Sequence, residues 1–222
     1  MKRLAMDTST DRASIAVQVD DKVYEAHQTG VKQHAQVLLP MVETLLDNAG
    51  VTLAQLDALV FGCGPGSFTG LRITLSVAKA LAYVHALPMM PVSSLAAIAY
   101  DMRTHVAIGE HVLAMMDARM NQVYWGVFQR TDADHMVLQD PLRVSDVGDV
   151  SVGQPVLIAG AGLEPYLAQL SPSITVRSVH ACFPQARVML DYAAKHAIDS
   201  VSASDAAPLY IRQQVTQGEK NG

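Results

Sequence analysis

At 222 residues, half of them hydrophobic and 17% charged, the chain has apolar material for one large domain or two small lobes, and disorder is excluded. A formal net charge of -5 argues against binding nucleic acid unaided, because affinity for a phosphate backbone rests on clustered Lys and Arg. No apolar run reaches the roughly 18 residues of a spanning helix. Asp7 falls where a secretory leader would need its apolar core, and Cys63 and Cys182 make no disulfide framework, so a cytoplasmic, reducing setting without membrane contact is expected.

In chain order, residues 3–9, 12–19 and 22–29 read as three strands of a meander, with turns at Thr8-Ser9-Thr10-Asp11 and Asp20-Asp21. Val37, Leu38, Met41, Val42, Leu45 and Leu46 recur at helical spacing, which predicts a helix over 33–48 stopped near Gly50. Residues 58–63 form a buried-type strand, a glycine loop follows, and 71–86 is a second long helix ending before Pro88. A third helix over 94–102 starts at a serine cap. The second half repeats the order, with strands at 112–117, 122–130, 136–144 and 156–159, then a helix at 184–197. Leu4-Ala5-Met6-Asp7 matches Leu113-Ala114-Met115-Met116-Asp117, and Val60-Phe61-Gly62-Cys63-Gly64 matches Val156-Leu157-Ile158-Ala159-Gly160. The expected architecture is α/β, with a β-β-β-α-β-α unit in each of two lobes, 1–105 and a reduced 106–222. That is the layout of actin-like and sugar-kinase-like ATPases.

The loop Gly64-Pro65-Gly66-Ser67-Phe68-Thr69-Gly70-Leu71-Arg72 asks for close approach of another group to bare backbone. Either an anion sits on its N-H groups, or a packed neighbour lies against it. It lacks the Gly-Lys-Ser/Thr ending of a P-loop, and its third glycine comes one residue late for a dinucleotide fingerprint. Ser67 and Thr69 do not have the spacing of a nucleophile elbow and suit helix capping. Arg72 opposes the helix dipole, which favours work outside the helix, on an anion or a partner carboxylate. Asp7 and Asp117, with Arg119 beside the latter, either face a nucleotide cleft or cap their own hairpin turns. The 71–86 helix is apolar all round and so must be covered on every side. Small Ala78 and Ala82 would let a partner helix approach, joined by Leu71 and Leu75 and by Val37 and Met41 of the first helix.

Leu4-Ala5-Met6-Asp7-Thr8-Ser9-Thr10, the loop from Gly64 to Arg72, Asp117-Ala118-Arg119 with Val123-Tyr124, and Ala207-Pro208-Leu209-Tyr210-Ile211-Arg212 together resemble the TsaB (YeaZ) family of bacterial tRNA threonylcarbamoyladenosine biosynthesis proteins. The resemblance implies an actin-like (ASKHA, ribonuclease H-like) fold and a non-catalytic role as partner of TsaD, with the ATPase TsaE joining the pair. It implies transfer of threonylcarbamoyl from threonylcarbamoyl-AMP to adenosine 37 of ANN-decoding tRNAs, with tRNA met only through the complex and a homodimer when TsaD is missing. It implies no cofactor of this chain's own, ATP, ADP and Mg being used by the partner subunits. TsaD-type proteins carry a His-x-x-x-His pair on the first helix; here His34 is followed by Leu38, so no metal is expected. The alternative is a small ATP-dependent phosphotransferase using Asp7, Asp117 and the Gly64 to Gly70 loop.

Overall fold

The computed structural model describes residues 1–30 and 34–211; the expected helix start at Gln33 and the Arg212 end of the C-terminal motif lie outside the described residues. Strands β1 (Lys2–Asp7), β2 (Arg12–Val19), β3 (Lys22–Thr29), β4 (Ala58–Gly64) and β5 (Met89–Ser93) form one sheet in the order β3-β2-β1-β4-β5. The first three are an antiparallel meander, and β4 and β5 run parallel to β1. The second sheet contains β6 (His111–Asp117), β7 (Gln122–Arg130), β8 (Met136–Leu138), β10 (Val156–Ala161) and β11 (Val176–Ala181), ordered β11-β10-β6-β7-β8. Strand β9 (Arg143–Asp146) also pairs with β7. Counted from its own first strand, each sheet has the same order, so the duplicated actin-like unit is visible in the hydrogen bonding.

Among the described residues four α-helices fill the layers: α1 (His34–Ala49), α2 (Phe68–His85), α3 (Ser94–Asp101) and α4 (Ala186–Lys195). Because side chains alternate along a strand, Leu4, Met6, Ile15, Val17, Leu59 and Phe61 face α1 and α2 in one core. The intervening Ala5, Ala16, Val60 and Val92 face α4 on the opposite side. Helix α3 leaves the first sheet and packs on Val112, Ala114, Met116, Leu157 and Ala159 of the second, and every residue from Ser94 to Tyr100 is buried. Helix α4 follows the last strand of the second sheet yet seats Ala186, Met189, Leu190 and Ala193 on the first. The two helices are thus exchanged between sheets, stacked in the middle of the molecule. The far face of the second sheet is covered by loops and short 3-10 turns carrying Val147, Val150, Leu163, Tyr166 and Ile174.

Several boundaries differ from expectation. Strand β5 follows directly on Pro88, and its short run Met89-Met90-Pro91-Val92 is too brief to separate from the lead into α3. That helix is capped by Ser93, not Ser94. Strand β11 is an edge strand, mostly exposed, and lacks an apolar signature. The expected 136–144 strand is two strands broken around Pro141, since proline cannot donate to a ladder. Strand β10 runs on to Ala161, and its register with β6 sets Asp117 beside Gly162, whereas Asp7 lies beside Gly62. The repeat therefore pairs Gly62 with Gly162, a slip of four residues from the Gly64 to Gly160 match. An even slip keeps every side chain on its face, so apolar pattern alone cannot detect it.

Candidate functional site

The glycine loop begins α2 three residues earlier than expected. Ser67 is the cap, its Oγ accepting from the Gly70 amide at 3.4 Å, while Thr69 is already inside the helix and exposed. The neighbour that approaches the bare backbone is the chain's own β1–β2 turn. A Cβ on Gly70 would stand 1.8 Å from the Thr8 carbonyl oxygen, and one on Gly66 would stand 2.5 Å from that of Ser9. The Ser67 amide donates to the Ser9 carbonyl at 2.7 Å. The buried Thr8 hydroxyl bridges the Gly70 carbonyl and the Thr74 hydroxyl, both at 2.7 Å. From the other side the Leu209 amide donates to the Cys63 carbonyl at 2.7 Å. Main chain already occupies the space beside Gly64, Gly66 and Gly70, which favours the packing reading over an anion site.

Asp7 has no exposed surface. One carboxylate oxygen accepts from the Ser9 amide at 2.9 Å and its hydroxyl at 2.7 Å, and the other receives a long 3.5 Å contact from the Ser94 hydroxyl. Gly62 leaves the room for it, since a Cβ there would fall 1.8 Å from Oδ2. Burial pushes the Asp7 carboxyl up to about 6, against the lowering effect of the serine hydrogen bonds. Asp117 does the same local work in the second sheet. Its Oδ1 accepts from the Arg119 amide at 2.7 Å and from the Tyr166 hydroxyl at 2.6 Å, and its Oδ2 pairs with Arg119 at 3.3 Å. Both aspartates cap the residue two positions on, the turn role that short acidic side chains perform well. Asp7 is closed off from solvent.

The α2 surface corrects the expected partner face. Ala78, Ala82 and Leu71 are 0%, 1% and 2% exposed. The alanines lie in the core with Leu38, Val42, Leu59 and Phe61, and Leu71 packs against Gly64. Their smallness lets α2 approach its own sheet, so they are unavailable to a partner. Leu75 and Met41 are half-buried at the edge of the same core, and Val37 is half-buried. What α2 exposes is a stripe of Phe68, Arg72, Ser76, Ala80, Tyr83 and Val84, with Tyr83 at 82% and Val84 at 73% exposure. Between this stripe and Ala35 of α1 runs an open groove of about 450 Å³, lined also by Ile73 and Val77. At its mouth the Arg72 guanidinium lies 3.8 Å over the Phe68 ring, and its Nε donates to the Tyr210 hydroxyl at 3.5 Å. Tyr210 in turn packs on Phe68 at 5.7 Å. The arginine held at the dipole's unfavourable end is thus paired with two rings of its own chain.

Over residues 17–150 the chain matches the family described as "TsaD: tRNA N6-adenosine threonylcarbamoyltransferase". It is 34% identical to the "tRNA threonylcarbamoyladenosine biosynthesis protein TsaB" of Escherichia coli, across 97% of this chain and 96% of that protein. With the protein of the same description from Haemophilus influenzae it is 32% identical, across 96% and 94%. The solved structure titled "YeaZ from Pseudomonas aeruginosa" superposes with a TM-score of 0.84 at 35% identity, covering 94% of this chain and 99% of that one. The chain belongs to the TsaB (YeaZ) family.

Several other reactive side chains of this TsaB-family chain are engaged internally. Burial pushes the Cys63 thiol up to about 12 and raises that of Cys182, which donates to Asp101 at 3.3 Å, so neither is a ready thiolate. His34 is buried at the start of α1 with Nε2 3.2 Å from the Asp11 carbonyl oxygen. Among the described residues no three His, Cys, Asp or Glu side chains converge as metal ligands, and no helix is long and apolar enough to cross a membrane. Trp125 is a core residue whose Nε1 donates to Ser145 at 3.1 Å, and Tyr124 is half-buried beside the α3 core.

Proposed function

We propose that this chain works in tRNA threonylcarbamoyladenosine biosynthesis as the non-catalytic partner of a TsaD-type subunit. In this reading it holds TsaD in its active arrangement, and TsaE joins the pair. TsaD transfers threonylcarbamoyl from threonylcarbamoyl-AMP to N6 of adenosine 37 of ANN-decoding tRNAs, and tRNA, ATP and Mg are handled by the complex. The observation that carries it is the exposed stripe of α2, Phe68, Ala80, Tyr83 and Val84, and the groove that Phe68 lines together with Ala35 of α1. Large apolar side chains clustered on one helical face mark a surface that is covered in use. Family membership supports the choice of partner. The sealing of Asp7 and the filling of the glycine loop by backbone weigh against the phosphotransferase alternative. Without TsaD the same stripe is free to pair with a second copy.

The test uses purified chain and a TsaD-type protein of the same organism. Calorimetry and size-exclusion chromatography should show a heterodimer, and threonylcarbamoyl transfer to tRNA should need both proteins. Transfer, or magnesium-dependent ATP turnover, by this chain alone would overturn the reading.

A further inference from the structure

The exchange of α3 and α4 between sheets brings a cluster of aromatic and titratable groups to the far end of α4. Residues 131–135, the turn between β7 and β8 of the second sheet, reach across to the last turn of α4, which sits on the first. His135 is held from both ring nitrogens. Nδ1 lies 2.8 and 2.9 Å from the two carboxylate oxygens of Asp132, and Nε2 lies 3.0 Å from the Lys195 carbonyl oxygen at the helix end. Both neighbours only accept. A neutral imidazole has a single N-H, so only the imidazolium satisfies both. The Lys195 ammonium adds a second tie, 3.2 Å from Asp134.

His196, 4.9 Å away ring to ring, asks for the opposite state. Its Nδ1 lies 3.0 Å from the Tyr192 carbonyl oxygen, an acceptor, which fixes the N-H there. Its Nε2 is buried and has no hydrogen-bond partner among the described residues. The ring stacks on Tyr192 at 3.8 Å and meets Tyr100 of α3 edge-on at 5.4 Å. A second proton would place an unsatisfied donor and a charge among rings, beside the His135 cation. The other charged groups facing the pair are Asp191 and Arg103, which pair with each other at 2.9 Å. Asp132 and the Lys195 carbonyl raise the His135 pKa, while desolvation and the His135 charge lower that of His196.

We propose that His135 and His196 form a two-imidazole latch that ties the second lobe's hairpin to the helix seated on the first lobe, closed in a window of mildly acidic to neutral pH. Above the window His135 loses its proton and one of its two bonds. Below it His196 gains a proton that its site cannot accommodate. The latch deepens no part of the partner reading and stands or falls independently of it.

Histidine ring NMR on the full chain tests this, with assignments from His135→Gln and His196→Phe. The His135 resonance should titrate above the ordinary value near 6.5 and that of His196 below it. The contribution of His135 is complete below about 6.5 and lost as pH rises through its folded pKa; that of His196 is complete above about 6.5 and lost as pH falls through its own. His135→Gln should lower Tm by about 2 to 4 °C at pH 6.5 and by nothing resolvable at pH 8.5. Hydrogen exchange in the last turn of α4 should be slowest inside the window. Coincident titration of both rings near 6.5, the reverse order, or a Tm loss for His135→Gln that is the same at every pH would overturn the latch.

Discussion

Asp7 faces serine donors in a site closed by Gly62. In an unfolded chain such a carboxyl titrates near 3.9, whereas burial brings it to about 6 here. Between those values the native state holds a proton that the unfolded state lacks, so this group's contribution to stability declines as pH rises from about 4 to about 6. At neutral pH the folded protein carries a buried charge costing roughly 2 to 3 kcal/mol. Asp7→Asn keeps an oxygen for the Ser9 donors and removes the charge, so urea unfolding should find it about 1 to 3 kcal/mol more stable than the parent at pH 7.5. That gain should shrink toward zero at pH 4; a variant destabilised equally at both values would show that the charge is needed where it lies. The turn role of Asp7 was legible in the sequence, because Asp-Thr-Ser is a local hydrogen-bonding unit. Its burial was not, since that depends on a glycine far along the chain and on Ser94 of a helix whose docking no local pattern records.

Helix α2 shows how an element can be read correctly in type and wrongly in orientation. A long, mostly apolar helix was legible from its residues, but the expectation that it is covered on every side is met only toward its own core, and a stripe that includes Arg72 and Ser76 stays exposed. The face that meets the sheet is chosen by volume. Ala78 and Ala82 fit against β4, while Tyr83 and Val84 are too bulky for that approach and point outward. Ala78→Glu should therefore unfold the protein, because it buries an unpaired charge at a cost of about 3 to 5 kcal/mol. Ala80→Glu, on the exposed stripe, should keep the circular dichroism spectrum and Tm of the parent and weaken TsaD binding at least tenfold in calorimetry. If Ala80→Glu binds TsaD as tightly as the parent, the stripe is not the contact. Gly70→Ala probes the other end of the helix. Its Cβ would meet the Thr8 carbonyl oxygen at 1.8 Å, and rigid backbone stands on both sides. Overpacking of this kind costs about 1 to 3 kcal/mol or more. Thermal unfolding should register it as a loss, and the anion reading of the loop gains support only if added phosphate restores the parent's Tm.

At the scale of the whole molecule, the sequence repeat made two similar sheets legible, but it could not reveal that each lends a helix to the other. Periodicity identifies an apolar face and is silent on which sheet receives it. The exchange makes the lobes interdependent. Ser14 of β2 accepts the Ala186 amide at 2.8 Å and so caps α4 from the opposite lobe, and Met189 is wholly buried against the first sheet. Residues 1–105 expressed alone would leave Ala5, Ala16 and Val60 bare and α3 without its sheet, and they should lack near-ultraviolet dichroism and bind a hydrophobic dye. Met189→Ala is the sharper test, because it deletes packing contributed by the second half to the first lobe. It should cost about 2 to 4 kcal/mol and lower the unfolding midpoint of both lobes together. Tryptophan fluorescence from Trp125, in the second sheet, should therefore shift by as much as far-ultraviolet dichroism from the whole chain. A Trp125 signal that keeps its parental midpoint while the dichroism moves would show two lobes that unfold independently, and the helix exchange would then be a contact without cooperative consequence.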